Sequence, residues 1–216
     1  MSDSDLKHDD KAEKPSINPG GMVKLGIILA LYAAVACVGL AFVYAGTADI
    51  IIQRQREDLE RALLVLFPNA DNFEAITGVS SNDPTVTIEE GGTYAAYQGG
   101  EMIGLALRTS RYSYSGDIVI LVGVSTDNRI SGIHIMENID TPGLVSNASS
   151  NTFFVDRANG IRFYDQFAGK STSDPFVAKR DVIAITAATI TSQAVSTSVK
   201  AAGEAATAWF ARGGSR

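Results

Sequence analysis

The sequence contains one cysteine and two histidines, so it has few of the side chains from which proteins build redox centres. Zinc sites and iron–sulfur clusters need several Cys or His ligands, and a disulfide needs two cysteines. These shortages exclude a Cys/His metal centre, an iron–sulfur cluster and a disulfide within the chain. If this protein transfers electrons, it must therefore use an organic cofactor.

Basic residues are also scarce, since the formal net charge is −6 and the pI is about 4.9. Nucleic-acid binding needs a concentrated basic face, so we expect no nucleic-acid partner. The sequence contains no glycine-rich dinucleotide fingerprint, which argues against a nicotinamide site. A chain of 216 residues has room for one domain and accessory segments.

The longest apolar run indicates a membrane anchor. Residues 1–21 are polar and predict a flexible tail. Leu25–Ala45 then carries no charge and, as a helix, would extend about 31 Å, enough to cross a bilayer. Residues 45–48 faintly suggest a signal-peptide processing site, but the run is longer than the roughly 7–15 residues of a signal core. We predict an uncleaved transmembrane helix over residues 22–48.

The charges beside the uncharged run Leu25–Ala45 favour a cytoplasmic N-terminus only weakly, because four lysines precede the run and three arginines follow it. Residues 49–69 then predict an amphipathic helix that stops at Pro68. Ile52, Leu59, Leu63 and Leu66 lie on one of its faces. A stalk and a helix docked on the following domain are both compatible with this pattern.

From Pro84 onward the pattern changes to short runs typical of strands. The predicted strands are Val86–Glu89, Thr93–Tyr97, Met102–Arg108, Asp117–Ser125 and Arg129–Met136. Thr126–Asn128 predicts a hairpin between the last two. The predicted helices are Asn151–Gly169 and Gln193–Ala211. This order predicts an α+β fold with a largely antiparallel sheet and flanking helices.

A threonine-rich junction follows near the C-terminus. Val182–Ile185 predicts a buried strand, and the chain then passes through small residues into an alanine-rich helix. A phosphate attached at this junction would face unpaired N–H groups and the positive end of the helix dipole. The alternative is that Thr189, Thr191 and Ser192 only cap the helix.

The junction Thr186-Ala187-Ala188-Thr189 resembles the Ser/Thr-Gly-Ala-Thr signature of an FMN-binding domain family. This family includes the G subunit of the Rnf electron-transport complex and the C subunit of the sodium-translocating NADH:quinone reductase. The last threonine of the signature carries FMN through a phosphoester, which implies this role for Thr189. The resemblance departs from the family at Ala187, where the family has Gly. It also departs at Ile183, where the family has Asp.

The same resemblance implies that Thr186, Ala187, Ala188, Thr191 and Ser192 surround the attached phosphate. Three more segments, in the order of the family, extend the resemblance over most of residues 90–200. They are Tyr114–Ile118, Asp140–Leu144 and Phe163–Lys170, which resemble Gly-Tyr-Ser-Gly, Glu-Thr-Pro-Gly-Leu and Phe-Asp-Gln-Phe-x-Gly-Lys.

The second of these segments implies a contact with the flavin ring through Thr141, Pro142, Gly143 and Leu144. Proline and glycine would let a flat ring approach the backbone, and leucine can pack on it. The local alternative is an ordinary turn, because proline fixes φ and glycine permits unusual φ values.

The resemblance therefore implies a membrane-anchored subunit of an Rnf-type complex that carries covalent FMN as an electron relay. The complex would couple electron transfer between ferredoxin and NAD to ion translocation, and the chain would have no catalytic or metal-binding residues of its own. Residues 70–216 would form a periplasmic FMN-binding domain, anchored by one span in the bacterial inner membrane.

The implied partners are the lipid bilayer, a maturing flavin transferase and other membrane subunits, including a second flavin-bearing one. One alternative is the C subunit of a sodium-translocating NADH:quinone reductase. Another is a non-redox extracytoplasmic binding or assembly module of the same fold. The departures at Ala187 and Ile183 leave this last alternative open.

Overall fold

The computed structural model describes residues 19–138, 147–150 and 152–214. It divides into two compact units, Met1–Arg54 and Gln55–Arg216, and we call the second unit the domain. The predicted ring contact Thr141–Leu144 lies outside the described residues.

The chain begins with one long helix, α1, over Pro19–Leu66. The predicted span and the predicted amphipathic helix are thus parts of a single element, which ends just before Pro68. An 18-residue window of this helix has a mean hydropathy of 2.5 and is 0% buried within the protein. Within the described part of the chain, α1 alone is long and apolar enough to cross a membrane.

The domain is built on one five-stranded antiparallel sheet in which the strands are neighbours in chain order. The strands are β1 (Asn72–Ile76), β2 (Thr87–Gln98), β3 (Glu101–Tyr112), β4 (Asp117–Ser125) and β5 (Ile130–Asn138). The predicted α+β class and antiparallel sheet are confirmed.

The predicted hairpin is also confirmed. β4 and β5 are joined by a tight turn in which the Asn128 N–H donates to the Ser125 carbonyl at 3.0 Å. Asn128 has a φ of 61°, a left-handed conformation that asparagine tolerates. β2, in contrast, merges two predicted strands across a bulge between Ile88 and Thr93. β1 has no counterpart among the predicted strands.

Helices cover both faces of the sheet within the domain. The C-terminal helix α2 spans Thr189–Ala211 and packs on β3 and β4, which confirms the predicted helix and extends it at its start. Its small buried residues let it lie close to the sheet; they include Ala194, Val195, Val199, Ala202, Ala205 and Ala206.

The end of α1 and the residue after it pack on the other face through Ala62, Leu63, Leu66 and Phe67. These last turns therefore dock on the sheet, the second of the two roles considered for this segment. A Cβ at Gly104 would lie 2.6 Å from the Phe67 ring, so the packing of Phe67 requires glycine there.

Two predicted elements are wrong. Over its described residues, 152–169, the predicted helix Asn151–Gly169 is instead a short antiparallel pair, β6 (Phe154–Asp156) and β7 (Ile161–Arg162), followed by a 3-10 turn. The Asp156 carboxylate accepts the N–H groups of Ala158 and Asn159 at 3.0 and 3.1 Å, and so builds a turn that competes with a helix. Val182–Ile185 is not a strand, because only Val182 forms an isolated bridge, to Ala178.

Candidate functional site

The threonine-rich junction forms a β-turn that leads into α2. The Ala188 N–H donates to the Ile185 carbonyl at 3.0 Å and closes the turn. Ala187 has a φ of 64°, in the left-handed region that favours glycine. The resemblance places the family's glycine at this position, and the observed backbone explains why glycine is suited to it. Thr186 and Ala187 are exposed at the tip of the turn.

No threonine or serine side chain caps α2. The N-cap residue is Ala188, whose side chain makes no capping hydrogen bond. The alternative in which Thr189, Thr191 or Ser192 is the N-cap is therefore wrong. The first N–H groups of a helix lack partners within the helix and lie at the positive end of its dipole, so this start is suited to an anion.

The hydroxyl groups at this helix start have different surroundings. Ser192 is fully buried; its Oγ accepts from the Ile185 N–H and donates to the Ala188 carbonyl, both at 2.9 Å. Thr191 is also buried, and its Oγ1 accepts from Ser113 Oγ at 3.2 Å. Thr189 is half-buried, and within the described residues its hydroxyl makes no hydrogen bond. Thr189 therefore has the hydroxyl available for modification.

Thr189 lies between two open cavities. The larger, of about 560 Å³, is lined by the segment from Lys179 to Ala187 and by Thr189. The smaller, of about 290 Å³, is lined by Thr189 and by residues of β3, α2 and the intervening loop: Arg111, Tyr112, Ala178, Ile190, Gln193 and Ala194. A group attached to the Thr189 hydroxyl has space on both sides.

The residues around these cavities fit an anionic group. Lys179 and Arg180 line the larger cavity, and Arg111 lines the smaller one. The Nη1 atom of Arg111 is buried and has no hydrogen-bond partner among the described residues. A buried guanidinium nitrogen without an acceptor is costly, so this cavity favours an oxygen-rich anion.

The cavity loop is held by side chains from the resembling segment Phe163–Lys170. Gln166 pairs with both main-chain groups of Ile183, since its Oε1 accepts the Ile183 N–H at 2.7 Å and its Nε2 donates to the Ile183 carbonyl at 3.1 Å. Lys170 Nζ donates to the Asp181 carbonyl at 2.9 Å. Lys170 is therefore engaged in fixing the loop.

Asp181 fixes the same loop from within. Its carboxylate accepts the N–H groups of Phe176 and Val177 at 3.0 and 2.7 Å. Three residues in this part of the chain, Phe176, Lys179 and Ala187, have positive φ values although none is glycine. Such backbone strain persists only where surrounding contacts hold it, and it is common at functional sites.

Large apolar side chains are exposed around Thr189. Tyr112 is 66% exposed, Ile190 57% and Ile183 46%. All three line one or other of the two cavities. A cluster of exposed apolar groups at a cavity mouth is typical of a ligand or partner surface.

The structure thus brings the predicted residues Thr186, Ala187 and Thr189 to the cavities, whereas Ala188, Thr191 and Ser192 are buried. Their roles toward a flavin stay predictions, as does that of Thr141–Leu144. Sequence reasoning missed Arg111, which nothing in the local sequence marks, because it reaches the site only through the packing of distant elements. Gln166 belongs to the resembling segment Phe163–Lys170, but its contact with Ile183 was not predicted.

The chain is similar to known proteins over most of its length. Residues 113–204 match the FMN-binding domain family, and residues 21–66 match the RnfG N-terminal region. The first match spans the turn before β4, the cavity loop and most of α2. The second coincides with most of α1.

Three curated relatives are similar to the chain. It is 31% identical over 205 residues, 87% of this chain and 92% of the relative, to the G subunit of the Na(+)-translocating ferredoxin:NAD(+) oxidoreductase complex of Acetobacterium woodii. It is 30% identical over 180 residues, 77% of this chain and 75% of the relative, to the G subunit of the ion-translocating oxidoreductase complex of Cereibacter sphaeroides.

The third relative is the G subunit of the proton-translocating ferredoxin:NAD(+) oxidoreductase complex of Clostridium ljungdahlii, 30% identical over 173 residues, 78% of this chain and 82% of the relative. The first of these alignments covers too much of the chain to exclude the anchor. The chain therefore belongs to the family of Rnf-complex G subunits and carries the FMN-binding domain of that family.

Proposed function

We propose that this chain is the membrane-anchored FMN electron-carrier subunit of an Rnf-type ferredoxin:NAD oxidoreductase complex, and that Thr189 carries the FMN through a phosphoester. The names of the relatives support the complex, and the family match supports the cofactor. One observation supports the attachment point above the others. Among the described residues, the Thr189 hydroxyl makes no hydrogen bond; it lies at a helix start whose N-cap is an alanine, and it lines two open cavities.

The residues of the turn have distinct roles in this proposal. The first N–H groups of α2 face the phosphate oxygens, and the small side chains of Ala187 and Ala188 leave room for the ester. Thr186, exposed at the tip, is available as a further donor. Ser192 and Thr191 shape the turn from beneath, because their hydroxyls bond neighbouring groups.

The bound FMN supplies the redox chemistry, and the protein supplies attachment, orientation and a connection to the membrane. The exposed apolar residues Tyr112, Ile183 and Ile190 form a surface suited to the ring or to a neighbouring protein of the complex. Thr141–Leu144 is the proposed second contact, which would hold the ring while the ribityl arm stays flexible. The chain is a relay in this proposal and catalyses no reaction alone.

The alanine at position 187 is compatible with this role. Its φ of 64° keeps the turn in the conformation that a glycine would adopt. The alanine at this position of the family signature thus raises the conformational free energy of the turn but leaves its backbone shape unchanged. Asp181 does not replace the family's acidic residue in this account, because its carboxylate is engaged by Phe176 and Val177.

The membrane location follows from α1 and from membership of the family. We propose that residues 1–21 lie in the cytoplasm, that residues 22–48 span the inner membrane and that residues 49–69 connect the span to the domain. Residues 70–216 form the FMN-binding domain in the periplasm. The partners are then the lipid bilayer, a flavin transferase and the other membrane subunits, one of which carries a second flavin.

The test is covalent labelling of the full chain, co-expressed with a flavin transferase of an Rnf-containing bacterium. The wild-type chain should be yellow, fluoresce in a denaturing gel and gain the mass of one FMN less one water. Thr189→Ala should remove the signal. Thr186→Ala is the matched control, since it deletes an exposed hydroxyl from the same turn and should retain the label.

A bare-chain mass for the wild type would contradict the covalent attachment and favour a non-redox module of the same fold. A label that is lost in Thr186→Ala and kept in Thr189→Ala would instead move the attachment to Thr186.

A further inference from the structure

Arg111 is a charged residue at the end of a row of core residues. Alternate residues of β3 face α2, and the first three of this row, Leu105, Leu107 and Thr109, are fully buried. The next residue on this face is Arg111, which pairs across the sheet with the fully buried Ile118. Charged side chains are rarely found in such positions unless they are paired.

The guanidinium lines the same cavity as the predicted attachment point, and one of its nitrogens has no acceptor among the described residues. Arg111 and Thr189 line the same cavity of about 290 Å³. Nη1 of Arg111 is buried, and among the described residues it has no hydrogen-bond partner. The side chain as a whole is half-buried, so a ligand can reach it through the cavity.

Asp83 is the carboxylate whose pKa Arg111 helps to lower, but it does not satisfy this nitrogen. The pKa of Asp83 is lowered mainly by hydrogen bonds from Thr85, and the charge of Arg111 contributes after them. The Asp83 Oδ1 atom accepts both the N–H and the hydroxyl of Thr85, at 2.8 and 2.7 Å. Among the described residues, neither Asp83 nor any other group accepts a hydrogen bond from Nη1 of Arg111.

We infer that Arg111 is the residue that pairs with the phosphate of the flavin carried by Thr189. This inference rests on the proposed function and adds a specific cation to it. A phosphodiester keeps one negative charge and two unbridged oxygens, which the planar guanidinium can bind through parallel N–H groups. The phosphate would then lie between Arg111 and the start of α2, both of which favour an anion.

Lys179 and Arg180 are the competing cations, since they line the larger cavity. Both Lys179 and Arg180 are exposed. Neither requires an anion for its own stability, because an exposed charge is solvated by water. Arg111 differs in having a buried nitrogen that donates to no described residue.

The test compares thermal unfolding of the full chain in detergent, with and without the covalent flavin. In the unlabelled protein, Arg111→Gln should leave the melting temperature unchanged or raise it, because it removes a buried group without a partner. In the labelled protein, it should lower the melting temperature by about 3–10 °C, since a charge-assisted hydrogen bond is lost. The difference between the two forms isolates the pairing with the phosphate.

Arg180→Gln is the matched control, which should change both forms equally. Arg111→Lys should recover part of the lost melting temperature, because lysine restores the positive charge but not the two parallel N–H groups of the guanidinium. Arg111→Gln could also fail to acquire the covalent flavin although its unlabelled form melts at the wild-type temperature. This result would also support the pairing of Arg111 with the phosphate. Equal shifts in both forms, or a selective loss with Arg180→Gln, would overturn it. An unlabelled wild type would instead refute the proposed function itself.

Discussion

The backbone strain at Ala187 predicts that Ala187→Gly stabilises the protein, whereas a substitution by glycine usually destabilises a folded protein. Ala187 has a φ of 64°, and the left-handed region costs a non-glycine residue roughly 1–2 kcal/mol. Ala187→Gly removes this cost but gives the unfolded chain more freedom, which offsets about 0.4–1 kcal/mol. The side chain is exposed, so little packing is lost. We expect a net stabilisation of about 0.5–1 kcal/mol.

The assay is thermal or urea unfolding of the unlabelled full chain, followed by the fluorescence of its single tryptophan. Trp209 lies in α2 and contacts Phe210, so its emission reports on the domain. For a chain of this size, the expected change corresponds to an increase in melting temperature of about 1–4 °C. Labelling of Thr189 should be undiminished in the variant.

Ala184→Gly is the control, because Ala184 lies in the same loop and has a negative φ. It should destabilise the protein by about 0.4–1 kcal/mol through the unfolded chain alone. If both substitutions destabilise the protein equally, Ala187 carries no strain. The account of why the family has glycine at this position would then fail.

Three further outcomes can be measured. Ser192→Ala should lower the unfolding free energy by about 1–3 kcal/mol, because it leaves the Ile185 N–H without its acceptor; an unchanged free energy would contradict this role. Gly104→Ala should cost about 1–3 kcal/mol by displacing Phe67, whereas Gly132→Ala, whose Cβ would lie 3.3 Å from Leu66, should cost less; the reverse order would refute the packing account. Engineered cysteines in residues 1–21 should resist a membrane-impermeant thiol reagent in intact cells, and ones beyond Asp49 should react. The opposite pattern would place the domain in the cytoplasm.

The parts of the fold that could be predicted are those fixed by local sequence. Leu25–Ala45 is uncharged, and Pro68 cannot continue a helix, so the sequence indicates both the anchor and the end of α1. The β4–β5 hairpin follows from two strand-like apolar runs around Thr126–Asn128. Gln193–Ala211 has the small apolar residues that a buried helix needs, although α2 begins earlier, at Thr189.

The errors arose where side chains replace main-chain partners. Val182–Ile185 has the apolar pattern of a strand, but the Ile183 backbone is paired by Gln166 and the Ile185 N–H by Ser192. These bonds give the main-chain groups of Ile183 and the Ile185 N–H their hydrogen-bond partners without a neighbouring strand. In the region predicted as a helix, Asp156 bonds the two N–H groups that follow it and reverses the chain. A single sequence does not show which side chains will meet which backbone groups.

The resembling segments are far apart in sequence, but the structure connects three of them through one loop. The turn around Tyr114–Ile118 lies against the start of α2, because the neighbouring Ser113 bonds Thr191. Phe163–Lys170 reaches the other end of the loop, through Gln166 to Ile183 and Lys170 to Asp181. Each segment alone fits an ordinary turn. Together their contacts fix the loop that leads to Thr189 and the start of α2 that follows it.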